Sequence, residues 1–220
     1  MIFEPTGIYH IYNQGNNRQP IFFSRENYLF FTRKMHQHIL PYADVLAWCL
    51  MPNHFHLMVE VKDFGNDRGA ADSRGAIAES RGADSRGATC SRTPTNTPVS
   101  TPDLNHSIGI MLASYTRAIH KQENITGSLF RQKTKAICLN EIKGISSNWF
   151  TFFGVTFMKV DIPALQYAQV CFSYIHNNPV KAGLVPRAED WEFSSYAGIA
   201  GLRPETLVNR ERVAVLGLNI

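Results

Sequence analysis

The chain has 220 residues, 44% of them hydrophobic and 18% charged, with a formal net charge of +4 and a pI near 8.9. That is apolar material for one core, or a core with a small extension, and no apolar run reaches the ~18 residues of a membrane-crossing helix. The mild basic excess suits a polyanionic partner but is also common in proteins without one.

In chain order, residues 7–15 (GIYHIYNQG) are rich in β-branched and aromatic residues and end in an Asn/Gly cluster, so they read as a strand. Ser24 suits the N-cap of a helix running to about Leu40, where Pro41 stops it. Residues 43–50 read as a buried strand, Met51-Pro52-Asn53 as a short turn, and residues 54–61 as the returning strand. Strand, helix and hairpin make an α+β opening rather than a doubly wound one.

The character changes at Gly65. Ala-(Asp/Glu)-Ser-Arg-Gly-Ala occurs at residues 71–76, 78–83 and 83–88, and a Thr/Pro-rich tract follows to Pro102. The apolar residues here are almost all alanine and the charges nearly cancel, so the tract cannot bury enough surface to offset its ordering entropy. Residues 65–102 are therefore expected to be a flexible, low-complexity insertion; whether its five arginines bind a partner stays open. Beyond it, Ile108, Met111, Leu112, Tyr115 and Ile119 share one face of an amphipathic helix over residues 104–122. Residues 127–139 look extended, and the aromatic-rich residues 147–161 take no assignment. Pro163 opens a last helix, expected to end after Asn178 at Pro179. Residues 1–64 and 103–200 would then form one domain, with 201–220 as a C-terminal tail.

Cys49, Cys90, Cys138 and Cys171 stand far apart without a CxxC pair, which gives neither a zinc ribbon nor a disulfide framework. With no secretory signal read at its start, the chain is expected to be cytoplasmic and reduced.

Two groupings carry chemistry. His54 and His56, two apart on a strand, leave one sheet face while Phe55 and Leu57 enter the core. Paired imidazoles make a divalent-metal site when oxygen ligands join them; surface histidines on a half-exposed strand are the competing reading. Tyr174 and Asn178, at i and i+4, share a helix face, where a phenol and an amide would supply a nucleophile and a third ligand. A buried tyrosine with a C-cap asparagine is the alternative. Arg131, Lys133 and Lys135 alternate, so on a strand they would line one face as a phosphate-binding surface or as the guard of an edge.

The combination and order of five blocks resembles the single-tyrosine transposases with paired histidines, in particular the REP-associated tyrosine transposases. The blocks are Tyr9–Asn16 (YHIYNQGN), Leu50–Leu57 (LMPNHFHL), Gly127–Phe130 (GSLF), Tyr174–Val185 (YIHNNPVKAGLV) and Trp191–Tyr196 (WEFSSY). The resemblance covers residues 7–64, 104–137 and 165–196. It implies a ferredoxin-like antiparallel sheet with helices on one face, interrupted by the insertion. It also implies cleavage and rejoining of hairpin-bearing single-stranded DNA through a 5′-phosphotyrosine link. By position, Tyr174 is the nucleophile, His54 and His56 hold Mg²⁺ or Mn²⁺ with Asn178 as third ligand, and Asn13, Arg18 and Lys181 join the DNA surface. A monomer is favoured over a homodimer. Gln14 and Phe130 replace a usual basic residue and a usual tryptophan, and the competing class is a copy that binds hairpin DNA without cutting it.

The insertion generates a prediction. Removing residues 66–101 and joining the ends with a short Gly/Ser link should leave the melting temperature unchanged or slightly higher, because closure entropy changes by only about 0.6 kcal/mol per doubling of loop length. A large loss of stability in a thermal melt would contradict the reading.

Overall fold

A seven-residue strand, β1 (Ile8–Gln14), runs antiparallel to two neighbours and holds the middle of the sheet. The computed structural model describes residues 2–63, 103–140, 150–152, 155–157 and 164–220. The hexapeptide repeats, the Thr/Pro tract, Cys90 and Pro163 lie outside them. After β1 come α1 (Arg25–His38), β2 (Ala43–Met51), β3 (His54–Val61), α2 (Leu104–Glu123) and β4 (Lys135–Cys138). A short hairpin, β5 (Phe150–Phe152) with β6 (Val155–Phe157), precedes α3 (Ala164–Lys181), α4 (Tyr196–Ile199) and α5 (Arg210–Val215). The main sheet has the order β2-β3-β1-β4. This is the expected α+β class with an antiparallel sheet.

One sheet face carries Tyr9, Ile11, Leu50, Phe55, Leu57 and Val59, all buried. Over it lie Phe31 and Met35 of α1 and Met111, Tyr115 and Ile119 of α2. Phe31 is the hub, with its ring 5.2 Å from Phe55 and 4.9 Å from Tyr115. Both helices begin on side-chain caps. Asn27 Oδ1 accepts from the backbone N–H of Ser24, and Asp103 accepts from that of His106.

Helices on one face describe α1 and α2, but α3 corrects that expectation by covering the other. The cause is legible in β2 and β3, where nearly every residue is buried whichever way it points. A hairpin apolar on both faces must be covered on both. Further departures follow. α3 does not stop before Pro179 but runs to Lys181, and a left-handed Gly183 (φ 68°) closes it, with Leu184 N–H donating to Pro179 O and Gly183 N–H to Val180 O. That paired closure satisfies carbonyls of the last turn after a residue that can donate no bond of its own. The extended reading of residues 127–139 shrinks to β4. Residues 201–220 are packed rather than trailing: Leu207, Val208, Val213 and Leu218 are buried, and Val208 pairs with Val45 along the outer edge of β2. Residues 193–195 cover the same edge, through Leu50 N–H to Phe193 O and Ser195 N–H to Trp48 O. An edge so covered offers no free ladder for another strand.

Tyr115 is fully buried and its hydroxyl donates to Ile21 O at 2.6 Å. Tyr115→Phe leaves that carbonyl unsatisfied, so we expect a loss of roughly 1–3 kcal/mol in a denaturant melt. Unchanged stability would mean that the bond contributes nothing.

Candidate active site between the sheet and α3

The β1–β3 register sets Gln14 opposite His54 and Tyr12 opposite His56, and β2 brings Met51 and Cys49 to the same two positions. His54 and His56 therefore share the face that α3 covers. His56 is fully buried and His54 partly so, with their rings edge to face at 4.9 Å. The Tyr174 ring of α3 lies 5.4 Å from His56 and 6.3 Å from His10. One turn on, the buried Asn178 donates through Nδ2 to the Tyr174 backbone carbonyl at 3.3 Å and stands beside His54 and the Tyr174 side chain. The Lys181 ammonium stands 5.3 Å from the centre of the Tyr174 ring. The four residues chosen from sequence for chemistry are thus neighbours.

Burial sets the charge state. It pushes the His54 imidazole down to about 4 and His10 to about 3, and holds His56 well below the ordinary value with help from the adjacent histidines. Burial raises the Tyr174 phenol, while the hydrogen bond from Asn178 opposes that rise. Neutral imidazole is the form that ligates a metal. The described residues bring together no three His, Cys, Asp or Glu side chains as a ligand set; the oxygen donor nearest the histidine pair on α3 is the Asn178 amide. Glu60, on the same strand face, is taken: Arg212 donates to both its oxygens, one bond being 2.6 Å. Two imidazoles and an amide oxygen fit a divalent first-row ion, and imidazole favours Mn²⁺ over Mg²⁺.

The other residues chosen from sequence divide. The DNA contact expected of Asn13 needs correction, because Asn13 points to the α1/α2 face and is buried there. Its Nδ2 donates to Thr134 Oγ1 (2.9 Å) and Arg131 O (3.2 Å), and its Oδ1 accepts from Gln14 N–H (2.7 Å). Arg18 is exposed in the turn after β1, where its carbonyl accepts from Asn53 Nδ2. Arg131, also exposed, bonds Gln14 O through its backbone at the same end of the sheet. Lys135 lies over the Tyr12 ring at 5.9 Å, on the histidine face. Lys133 instead borders a groove along α2 beside Ile108 and Leu112. The three cations do not line one strand face, because β4 begins only at Lys135. Phe130 packs against Phe55 and Tyr115 and serves the core.

Sequence reasoning passes over three residues of the site. His10 and Tyr12 reach it through the pairing of β1 with β3, and Asn53 accepts from His54 Nδ1 at 2.6 Å. The signal for the first two was present: a second alternating aromatic pair, His10-x-Tyr12, on a strand expected to lie in the same sheet.

No family model matches the chain, and no curated protein matches it. Among solved structures the chain is similar to a REP-associated tyrosine transposase bound to a REP hairpin. The TM-score is 0.53 at 14% sequence identity, over 93% of this chain and 86% of that one. At that identity the likeness is one of fold: a four-stranded antiparallel sheet with its helices, shared with a tyrosine transposase.

The buried histidines also set acid stability. His10, His54 and His176 take up a proton in the folded chain only near 3 to 4, against an ordinary 6.5 when unfolded. Between pH 6.5 and 4 the unfolded chain therefore binds more protons, and stability falls as pH falls. Thermal melts in a chelator should show full stability above pH 6.5 and a progressive loss below it. A flat profile down to pH 4.5 would contradict the burial of these rings.

Proposed function

We propose that this chain is a metal-dependent, transposase-like enzyme that cleaves and rejoins single-stranded DNA with hairpin ends, using Tyr174 as nucleophile. The observation that carries the reading is the convergence of Tyr174 on the histidine pair, its ring 5.4 Å from His56 and the rings of His54 and His56 4.9 Å apart, with the Asn178 amide one helical turn on. The same amide would orient the phenol and complete a ligand set with His54 and His56. A structural neighbour bound to a REP hairpin supports hairpin DNA as the substrate class.

A half-buried phenol whose pKa is raised is a weak nucleophile at neutral pH and must be helped to lose its proton. Asn178 favours the phenolate by donating to it, and the Lys181 ammonium favours it by charge. The Tyr174 oxygen then bonds phosphorus and the 3′ oxygen leaves, taking up a proton to become a free hydroxyl. The phosphodiester energy stays in the tyrosine link, so the site can run the exchange backwards onto another end. A divalent ion bound by His54, His56 and Asn178 would polarise the phosphoryl group and offset its developing charge. Glu60 is held by Arg212, away from any water-activating role, which favours transesterification over hydrolysis. Arg18, Arg131, Lys135 and Lys181 would receive phosphates around the site.

Incubation with 3′-labelled hairpin DNA and Mn²⁺ should give a covalent adduct resolved on a denaturing gel, because the tyrosine stays on the 5′ end of the downstream fragment. Tyr174→Phe, which deletes one oxygen, should abolish the adduct while binding in a gel-shift assay persists; a His54→Ala, His56→Ala pair should also abolish it. Tyr115→Phe should keep it. An adduct that survives Tyr174→Phe would refute the assignment. Binding by the unaltered chain without any adduct would leave a hairpin-binding protein that does not cut.

A further inference from the structure

His10 stands opposite Met58, and Tyr12 opposite His56, so His10 and His56 are diagonal neighbours on one sheet face. Their rings meet. His10 Nε2 lies 2.9 Å from His56 Nδ1, with centroids 5.1 Å apart and planes inclined by 27°. Rings so placed meet edge to edge in nearly one plane, which is the direction of an imidazole lone pair. His10 is itself fixed. It is buried, and Tyr12 stacks on it at 4.8 Å and 26°.

One proton serves the two nitrogens, and either ring can hold it. A ligand role decides which. If His56 ligates through Nε2, that nitrogen must be bare, the proton must sit on Nδ1, and His10 Nε2 must be the acceptor. His54 is arranged alike, with its Nδ1 2.6 Å from Asn53 Oδ1, an oxygen that can only accept. Each histidine of the pair thus spends Nδ1 on a neighbour, which leaves the same nitrogen, Nε2, as the donor atom on both.

Building on the metal site proposed above, we propose that His10 is a positioning residue. Its Nε2 accepts from His56 Nδ1–H and fixes the tautomer and the ring plane of that ligand. An imidazole in this place adds no charge, so the pair sits in an apolar setting without a counter-ion.

Two measurements test this, both on the full chain. Long-range proton–nitrogen correlation on ¹⁵N-labelled, metal-free protein at neutral pH should show His56 protonated on Nδ1. A proton on His56 Nε2 would overturn the proposal, and this readout needs no substitution. Mn²⁺ binding, followed by the electron paramagnetic resonance of the free ion, should weaken roughly 10–100-fold in His10→Phe, which keeps a ring but no acceptor. His10→Gln, whose amide oxygen can accept, should recover most of that loss. Wild-type affinity in folded His10→Phe, or no recovery in folded His10→Gln, would also overturn it. If either variant fails to fold, the tautomer of the unaltered chain decides. Failure of the function itself looks different: the unaltered chain binds no Mn²⁺, or its DNA adduct survives Tyr174→Phe, and neither result depends on which nitrogen of His56 carries a proton.

Discussion

A slip of β3 by one residue against β1 would turn His54 and His56 toward α1 and α2, and Phe55 and Leu57 toward α3. Everything in the site depends on that register. The pairing of Tyr12 with His56 brings β1 to the histidines, and the pairing of Cys49 with His56 fixes them near the turn of the hairpin. Because both faces are buried, a slip would place imidazoles among Phe31, Met35 and Tyr115 with no polar partner. Register is strongly specified wherever the two faces differ so sharply in chemistry.

The site is consequently a polar cluster inside an otherwise apolar layer, stable only while its members satisfy one another. His10 bonds His56, Asn53 bonds His54, and Asn178 bonds the Tyr174 carbonyl beside them. His176 faces away from this cluster and bonds Ser195 Oγ at 2.8 Å, tying α3 to the segment that covers the edge of β2. Neighbouring residues of one helix thus divide the work, since a helix turns successive side chains to different sides. Tyr174 and Asn178 face the histidines while Phe172 and His176 anchor the helix.

Local periodicity made much of this legible. The bounds of β3, the face of α2, and the helix spacing of Tyr174 and Asn178 all follow from periods of two or of three to four residues. The likeness in fold to a tyrosine transposase agrees with what the five sequence blocks implied. What escaped was long-range. No local pattern in Tyr9–Asn16 says that His10 meets His56, because only the strand register does. Asn13 looked like a surface polar residue, yet the pleat turns it inward to hold the approach to β4. Pro179 looked like a stop, whereas the stop is the left-handed Gly183 four residues later. The packing of residues 207–218 has no periodic signal at all, since those side chains fill an edge rather than a face.

The chain leaves the sheet after Val61 and re-enters the described fold at Asp103, which caps α2. There Lys62 N–H donates to Tyr42 O, and Ser107 Oγ donates to His38 O at the end of α1. His54 stands at the opposite end of β3, roughly 23 Å away at the ordinary rise of a strand. Strand length thus acts as a spacer. Any change in the number of repeats between these two points is joined to the sheet at the end of β3 away from the histidine pair. Selection on the chemistry has little grip at that junction, which makes it a natural port where foreign sequence can accumulate, or be spliced in by design.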